Sequence, residues 1–377
     1  MSDIISSYKK SNKEKFYINY QISNSDNFLK KIYFVFKKLF NTINFSFDKS
    51  DIYYQIFKNS KKYENYIKKY DFVISDFRLN HLYNPDLRLL YEAAISKNTK
   101  LISWVYSWDN VYHSSVMKQS DYIFIWSKFF KKIINLNHNY KNNQIINIGS
   151  IQFDYLKKKT LKKNIYKKKI LFACSYGSDN NNTGDNFIKD EINFLKILSK
   201  SVWSTDKKYN ILVRPYPSAL RDEYKNIKLL KNVKFEEYGK IIKRRKNDNE
   251  KIRIDSNLNK KLNQIISSNI VISFGSTFNI EAAILNKIVL HIDFTSLEEK
   301  KYKSYNYFKD QMEYLKILKG KNFPNIIKSK EQLDFVMYEL IIEKKFKKYL
   351  KYNSYIKKIF YDKKIAMDEF IKYLKII

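Results

Sequence analysis

The clearest pattern of apolar and polar positions runs over residues 270–293. Residues 270–274 form an apolar, largely β-branched run, the pattern of a buried parallel strand. Gly275-Ser276-Thr277 breaks it: Gly permits a tight turn, and Ser and Thr are good helix caps. Ile280, Ala283 and Ile284 then recur at helical spacing, which predicts a helix starting near Phe278. A turn at Asn286-Lys287 leads into a second buried strand at 288–292.

The same reading orders the rest of the chain. Strands are predicted at 16–21, 44–47, 71–76, 101–105, 121–126 and 144–148. Helical stripes lie between them, at 26–40, 51–66, 86–96 behind Pro85, and 129–136. A second series has strands at 169–174, 209–213 and 232–235, and helices at 187–201 and 258–267. Residues 240–256 are highly charged and read as a surface insertion. Beyond Asp293 only helical patterns are predicted, clearest at 332–343 and 365–374. Alternation of strand and helix implies α/β architecture with mostly parallel sheets. The expected domains are 1–156 and 169–345, joined by a basic linker at 157–168. C-terminal helices within 346–377 are expected to pack back on the first domain.

Composition narrows the function classes. The chain has 377 residues, 44 % of them hydrophobic, too apolar for a disordered chain. Its formal net charge of +34 admits three readings: a solvated Lys-rich surface, attraction to an anionic membrane face, or nucleic-acid binding. No zinc-finger spacing, aromatic RNA-binding signature or basic zipper accompanies that charge. The single cysteine, Cys174, excludes an intramolecular disulfide framework and reads as a buried small hydrophobe. The first residues carry no signal-peptide core, and no apolar run approaches the ~20 residues of a membrane span. The expected location is cytoplasmic, at most peripheral to the inner face of a membrane.

Candidate chemistry gathers where predicted strands end. Gly275, Ser276 and Thr277, at a strand-to-helix turn, suit a phosphate, since helix N-termini attract anions. Glu281, one turn into that helix, is placed to accept hydrogen bonds from ribose hydroxyls. The plainer alternative is an ordinary β-α-β unit whose Glu281 favours the helix N-terminus. Arg214 ends another strand, before Pro215-Tyr216-Pro217, and suits either a diphosphate or an inter-element ion pair. Ser175 opens a polar loop at a third strand end. In the first domain Ser107-Trp108-Asp109-Asn110 follows a strand, so Asp109 is a candidate general base or a helix cap. Asp76 has the same placement, and His81 and His113 also follow strands. His291, inside a strand, reads as a core histidine. No Gly-x-Gly-x-x-Gly, P-loop, Gly-x-Ser-x-Gly or His-Glu-x-x-His occurs, so neither a cofactor nor a structural metal is expected.

Several of these segments resemble a known family. Residues 107–110, 122–126 and 148–154 look like a recurring series in bacterial surface-carbohydrate biosynthesis. Arg214-Pro215-Tyr216-Pro217 looks like its Arg-Pro-His-Pro turn, and 273–283 like its Ser-Thr-x-x-x-Glu-Ala segment. Over residues 71–294 the chain is similar to GT-B glycosyltransferases and their relatives, the CDP-glycerol glycerophosphotransferases and UDP-N-acetylglucosamine 2-epimerases. The resemblance implies two facing Rossmann-like domains. It implies a nucleotide-sugar donor held by Ser276, Thr277 and Glu281, with Arg214, Gly275, Ser175 and Tyr216 beside it. It implies a glycan or lipid-linked acceptor met by Trp108, Asn110 and His113, with Asp109, His81 or Asp76 supplying acid–base chemistry. Tyr216 departs from the family's His, which alters phosphate handling if that His touches phosphate. The alternatives are a CDP-glycerol-type polyol-phosphate transferase, a nucleotide-sugar epimerase, and a non-catalytic basic nucleic-acid binder.

Overall fold

The computed structural model describes residues 67, 69–76, 98–105, 107–108, 111, 120–157, 168–174, 187–215, 230–235, 241–242, 253–254, 258–274, 276–293, 322–361 and 364–377. The chain divides into two compact units, 1–151 with 364–377, and 152–363. The division falls a few residues ahead of the expected linker. The expected strands at 16–21 and 44–47 and the helices at 26–40, 51–66 and 86–96 lie outside the described residues.

Among the described residues the first unit has a four-stranded parallel sheet in chain order: β1 (Phe72–Asp76), β2 (Lys100–Trp104), β3 (Tyr122–Ile125) and β4 (Ile145–Asn147). Between β3 and β4 the predicted helix is a 3-10 turn followed by α1 (Lys131–His138), ended by left-handed Asn139. Asn tolerates that conformation because its short polar side chain bonds locally. Ile102, Phe124 and Ile148 form the core of one sheet face. Phe370, Tyr373 and Leu374, from the C-terminal helix of residues 366–376, pack on it, with Phe124 and Phe370 edge to face at 5.3 Å.

The second unit opens with the single-turn helix α2 (Asp154–Lys157), followed by β5 (Lys169–Ala173), α3 (Phe187–Thr205), β6 (Asn210–Arg214) and β7 (Val233–Phe235). The charged insertion contributes an antiparallel pair, β8 (Ile241–Ile242) and β9 (Arg253–Ile254). Next come α4 (Leu258–Ile266), β10 (Ile270–Ser273), α5 (Thr277–Ile284) and β11 (Ile288–Ile292). After Asp293 the structure corrects the expectation of helices alone, because β12 (Ile326–Ile327) adds an edge strand. Two residues carry no periodicity. Pairing defines this strand: the Asn325 side chain donates to the Val289 carbonyl at 2.7 Å and the Tyr349 carbonyl at 3.0 Å. The unit's last helices are α6 (Lys330–Ile341) and α7 (Phe346–Phe360), and α8 (Ala366–Ile376) is the helix on the first sheet.

The second sheet is all parallel, in the order β12-β11-β10-β5-β6-β7. This is the doubly wound order, with successive strands added outward from β5 on one side and from β10 on the other. The central positions of these strands are mostly apolar because helices cover both faces. Ile170, Phe172, Ile211, Val213, Ile272, Phe274 and Leu290 pack with α3 and α6. By strand alternation Arg214, Ser273 and His291 lie on the opposite face. Cys174 is buried.

Candidate functional site

In a doubly wound sheet the direction of strand addition reverses at one place, and ligands bind outside the carboxyl ends there. Here that place is between β5 and β10. The polar turn after β10 therefore stands at the switch point. Ser276 is the extended N-cap of α5, and its hydroxyl accepts the Phe278 N–H at 3.1 Å. Ser276, Thr277 and Phe278 are half-buried and so reachable. A Schellman closure ends the helix: Lys287 N–H bonds the Ala282 carbonyl at 2.9 Å and Asn286 N–H the Ala283 carbonyl at 3.1 Å. Asn286 supplies the left-handed residue, with φ of 55°.

Beneath the turn the polar groups are internal. Ser273 Oγ donates to Asn279 Oδ1 at 2.9 Å, and Asn279 Nδ2 lies 3.5 Å from His291 Nδ1. Burial pushes the His291 imidazole down to about 3, so the ring is neutral. It belongs to the support of the turn, as a core histidine would.

Six side chains from four elements gather at the first turns of α5. Glu281 is 3 % exposed, and Lys261 Nζ of α4 lies 2.6 Å from each of its carboxylate oxygens. Arg214, at the end of β6, is also 3 % exposed, and its guanidinium donates to Gln264 Oε1. The Phe278 ring has a cation on each account: Lys261 Nζ 4.7 Å from its centroid and Arg214 Cζ at 5.4 Å. Tyr155 of α2 completes the group. Burial pushes its hydroxyl above the ordinary tyrosine value, the neighbouring Glu281 carboxylate adds to the rise, and Arg214 opposes it. Arg214, Lys261 and the positive end of α5 thus stand beside the Glu281 carboxylate.

Of the residues singled out in the sequence, Arg214, Ser276, Thr277 and Glu281 are thus brought together in the second unit. Arg214 is an internal group with side-chain partners, and Glu281 already has a cation. Gly275, Ser175 and Tyr216 lie outside the described residues. In the first unit Asp76 ends β1, and Trp108 is 3 % exposed, which leaves its indole little surface for an acceptor. Asp109, Asn110, His81 and His113 lie outside the described residues. Sequence reasoning missed Lys261, Gln264 and Tyr155. One signal was present: Gln264 interrupts the apolar side of α4 between Leu262 and Ile265, and it is buried. Among the described residues no group of three His, Cys, Asp or Glu side chains suits a metal, and no helix is long and apolar enough to cross a membrane.

The chain matches no protein-family model, and no curated protein matches it in sequence. Among solved structures it is similar to MnaA of S. aureus with UDP, at 13 % identity over 85 % of this chain and 79 % of that one, TM-score 0.48. It is similar to a UDP-GlcNAc 2-epimerase from Neisseria meningitidis bound to UDP-GlcNAc, at 13 % identity over 87 % and 79 %, TM-score 0.47. A glycosyltransferase from Rickettsia africae is 16 % identical over 85 % and 80 %, TM-score 0.45.

Proposed function

We propose that this protein is a GT-B-type glycosyltransferase that moves a sugar from a nucleotide-activated donor to a surface-glycan or lipid-linked acceptor. The observation that carries the reading is the switch point of the second sheet. There a capped, reachable helix N-terminus is backed by Arg214 and Lys261 and followed by a carboxylate, Glu281, about one turn into the helix. In this reading the acceptor hydroxyl attacks the anomeric carbon, the bond to the nucleotide diphosphate breaks, and its electrons leave on the diphosphate. The cationic field of Arg214, Lys261 and the α5 N-terminus stabilises that charge as it develops. Ser276 and Thr277 meet the phosphates, together with Gly275, Ser175 and Tyr216, and Glu281 meets the ribose. In this reading Asp109, with His81 and Asp76, supplies the base, and Asn110 and His113 meet the acceptor, while Trp108 is buried and serves packing. The basic surface suits an anionic membrane face, where lipid-linked acceptors reside.

The test is thermal stabilisation by UDP, CDP, GDP and CMP and their sugar forms, measured beside Glu281→Ala. A ligand that binds the native state alone raises the melting temperature in proportion to its affinity. Stabilisation by one nucleotide class that is lost in the variant is expected. A preference for CDP forms redirects the reading to a polyol-phosphate transferase. Stabilisation by none of them, or equally in both proteins, overturns it.

A further inference from the structure

We propose that the Lys261–Glu281 ion pair is exchanged on donor binding: the Lys261 ammonium passes to a nucleotide phosphate, and ribose hydroxyls take its place on Glu281. The inference rests on the nucleotide-donor reading and assigns that site a moving part.

Glu281 is nearly closed to solvent, and one ammonium lies 2.6 Å from both of its oxygens. In the empty protein Lys261 donates to Oε1, and its ammonium crowds Oε2, which is buried with no hydrogen-bond partner of its own among the described residues. A ribose diol that engages both oxygens competes with that ammonium for the carboxylate. The two partners are unequal. Glu281 is fixed within α5 at 4 % side-chain exposure, whereas Lys261 reaches in from α4 on a flexible four-carbon stem at 19 %. The lysine is the partner able to move.

Its destination is close. Lys261 Nζ stands 4.7 Å from the centroid of Phe278, the second residue of α5, so it already borders the turn that carries Ser276 and Thr277. Rotation about the outer bonds of the stem carries the ammonium from the carboxylate toward an anion seated at that turn. Arg214 is poorly suited to the same task. It is 3 % exposed, donates to Gln264 and lies against Phe278, so it contributes field rather than reach. A second observation points to a ligand here. Gln264 is 3 % exposed, its side-chain nitrogen has no hydrogen-bond partner among the described residues, and it lies one turn along α4 from Lys261. A buried donor of this kind calls for an anion or a water brought in with one.

The exchange makes an unusual prediction for a phosphate probe that has no ribose. Titration calorimetry with inorganic pyrophosphate is carried out on the wild type, Glu281→Gln, Lys261→Met and the double variant. Glu281→Gln releases the ammonium, so pyrophosphate binds about tenfold more tightly, the worth of one charge-assisted hydrogen bond. The gain vanishes in the double variant. UDP, CDP and GDP, titrated in parallel, gain less than pyrophosphate from Glu281→Gln because they lose a ribose contact. The double variant leaves neither charge unpaired, so the comparison of wild type, Glu281→Gln and the double variant stands even if Lys261→Met fails to fold. An unchanged pyrophosphate affinity in Glu281→Gln, or a gain that survives in the double variant, overturns the exchange. If UDP, CDP or GDP still binds the wild type and is lost on Glu281→Ala, the donor reading stands without it. Binding of no diphosphate to any form overturns both.

Discussion

Lys287 offers a test in which the sign of a stability change reverses with pH. It is the first residue beyond the left-handed cap of α5, it is 3 % exposed, and its Nζ donates to the Ile266 carbonyl at 2.6 Å. Burial pushes its pKa down from 10.5 to about 8. Lys287→Met keeps the length of the side chain and removes the ammonium. At ~1.36 kcal/mol per unit, the shift corresponds to roughly 3 kcal/mol carried by the folded state below pH 8. Against this, methionine leaves the Ile266 carbonyl without that donor, a loss of about 1–2 kcal/mol. The variant is therefore more stable than the wild type by about 1–2 kcal/mol at pH 7. Between about 8 and 10.5 the unfolded chain holds the proton and the folded protein does not, so wild-type stability rises with pH. By pH 10 the gain has gone, and the wild type, whose neutral amine still donates, is level or ahead. Urea unfolding of both proteins at pH 7 and pH 10 measures the two differences. A variant less stable at pH 7, or a difference that does not change with pH, would refute the reasoning.

Two further predictions concern the frame of the site. Phe274 lies edge to face with Phe194 at 5.3 Å and with Phe172 at 6.3 Å, two residues before the N-cap Ser276. Phe274→Ala is expected to cost about 3–5 kcal/mol; a loss under 1 kcal/mol in urea unfolding would show that the turn is not anchored by this cluster. Burial alone would raise the pKa of Glu339, but hydrogen bonds from Lys348 and Tyr349 outweigh it and hold the carboxyl below its ordinary 4.5. Its contribution is present above the unfolded value and is lost as pH falls through the lowered folded one. Glu339→Gln should flatten the acid limb of the stability profile, and an unchanged slope between pH 7 and pH 3 would count against the pairing.

What the sequence revealed and what it hid follow from the range of the interactions. The segment 270–293 was legible because local forces decide it. An apolar run makes β10, Ser276 caps α5, and a left-handed Asn286 closes it. The placement of Arg214 and Glu281 at strand and helix ends followed from the same local reading. Their partners did not. Lys261 meets Glu281 twenty residues on, Gln264 meets Arg214 across fifty, and Tyr155 precedes both by a long stretch of chain. In a chain so rich in lysine, no local feature distinguishes Lys261 from its neighbours. Helix α7 was also harder to read than α6. Its buried face is Tyr349, Tyr352, Asn353, Ile356, Ile359 and Phe360, interleaved with lysines, so aromatic and polar side chains share the work usually done by aliphatic ones. The strand order was beyond local reading altogether, because it depends on which strands pair.

The packing of α8 on the first sheet has a consequence for biosynthesis. The apolar face formed by Ile102, Phe124 and Ile148 receives Phe370, Tyr373 and Leu374 from a helix that follows the whole second unit in the chain. With roughly 220 residues between β4 and α8, a ribosome adding about 5–20 residues per second leaves that face uncovered for on the order of tens of seconds. The second unit, whose sheet and helices are contiguous in the chain, can finish while the first still waits. Nascent chains of this protein therefore present a sticky sheet surface during that interval, and a chaperone acting on ribosome-bound chains would find its target in the first unit.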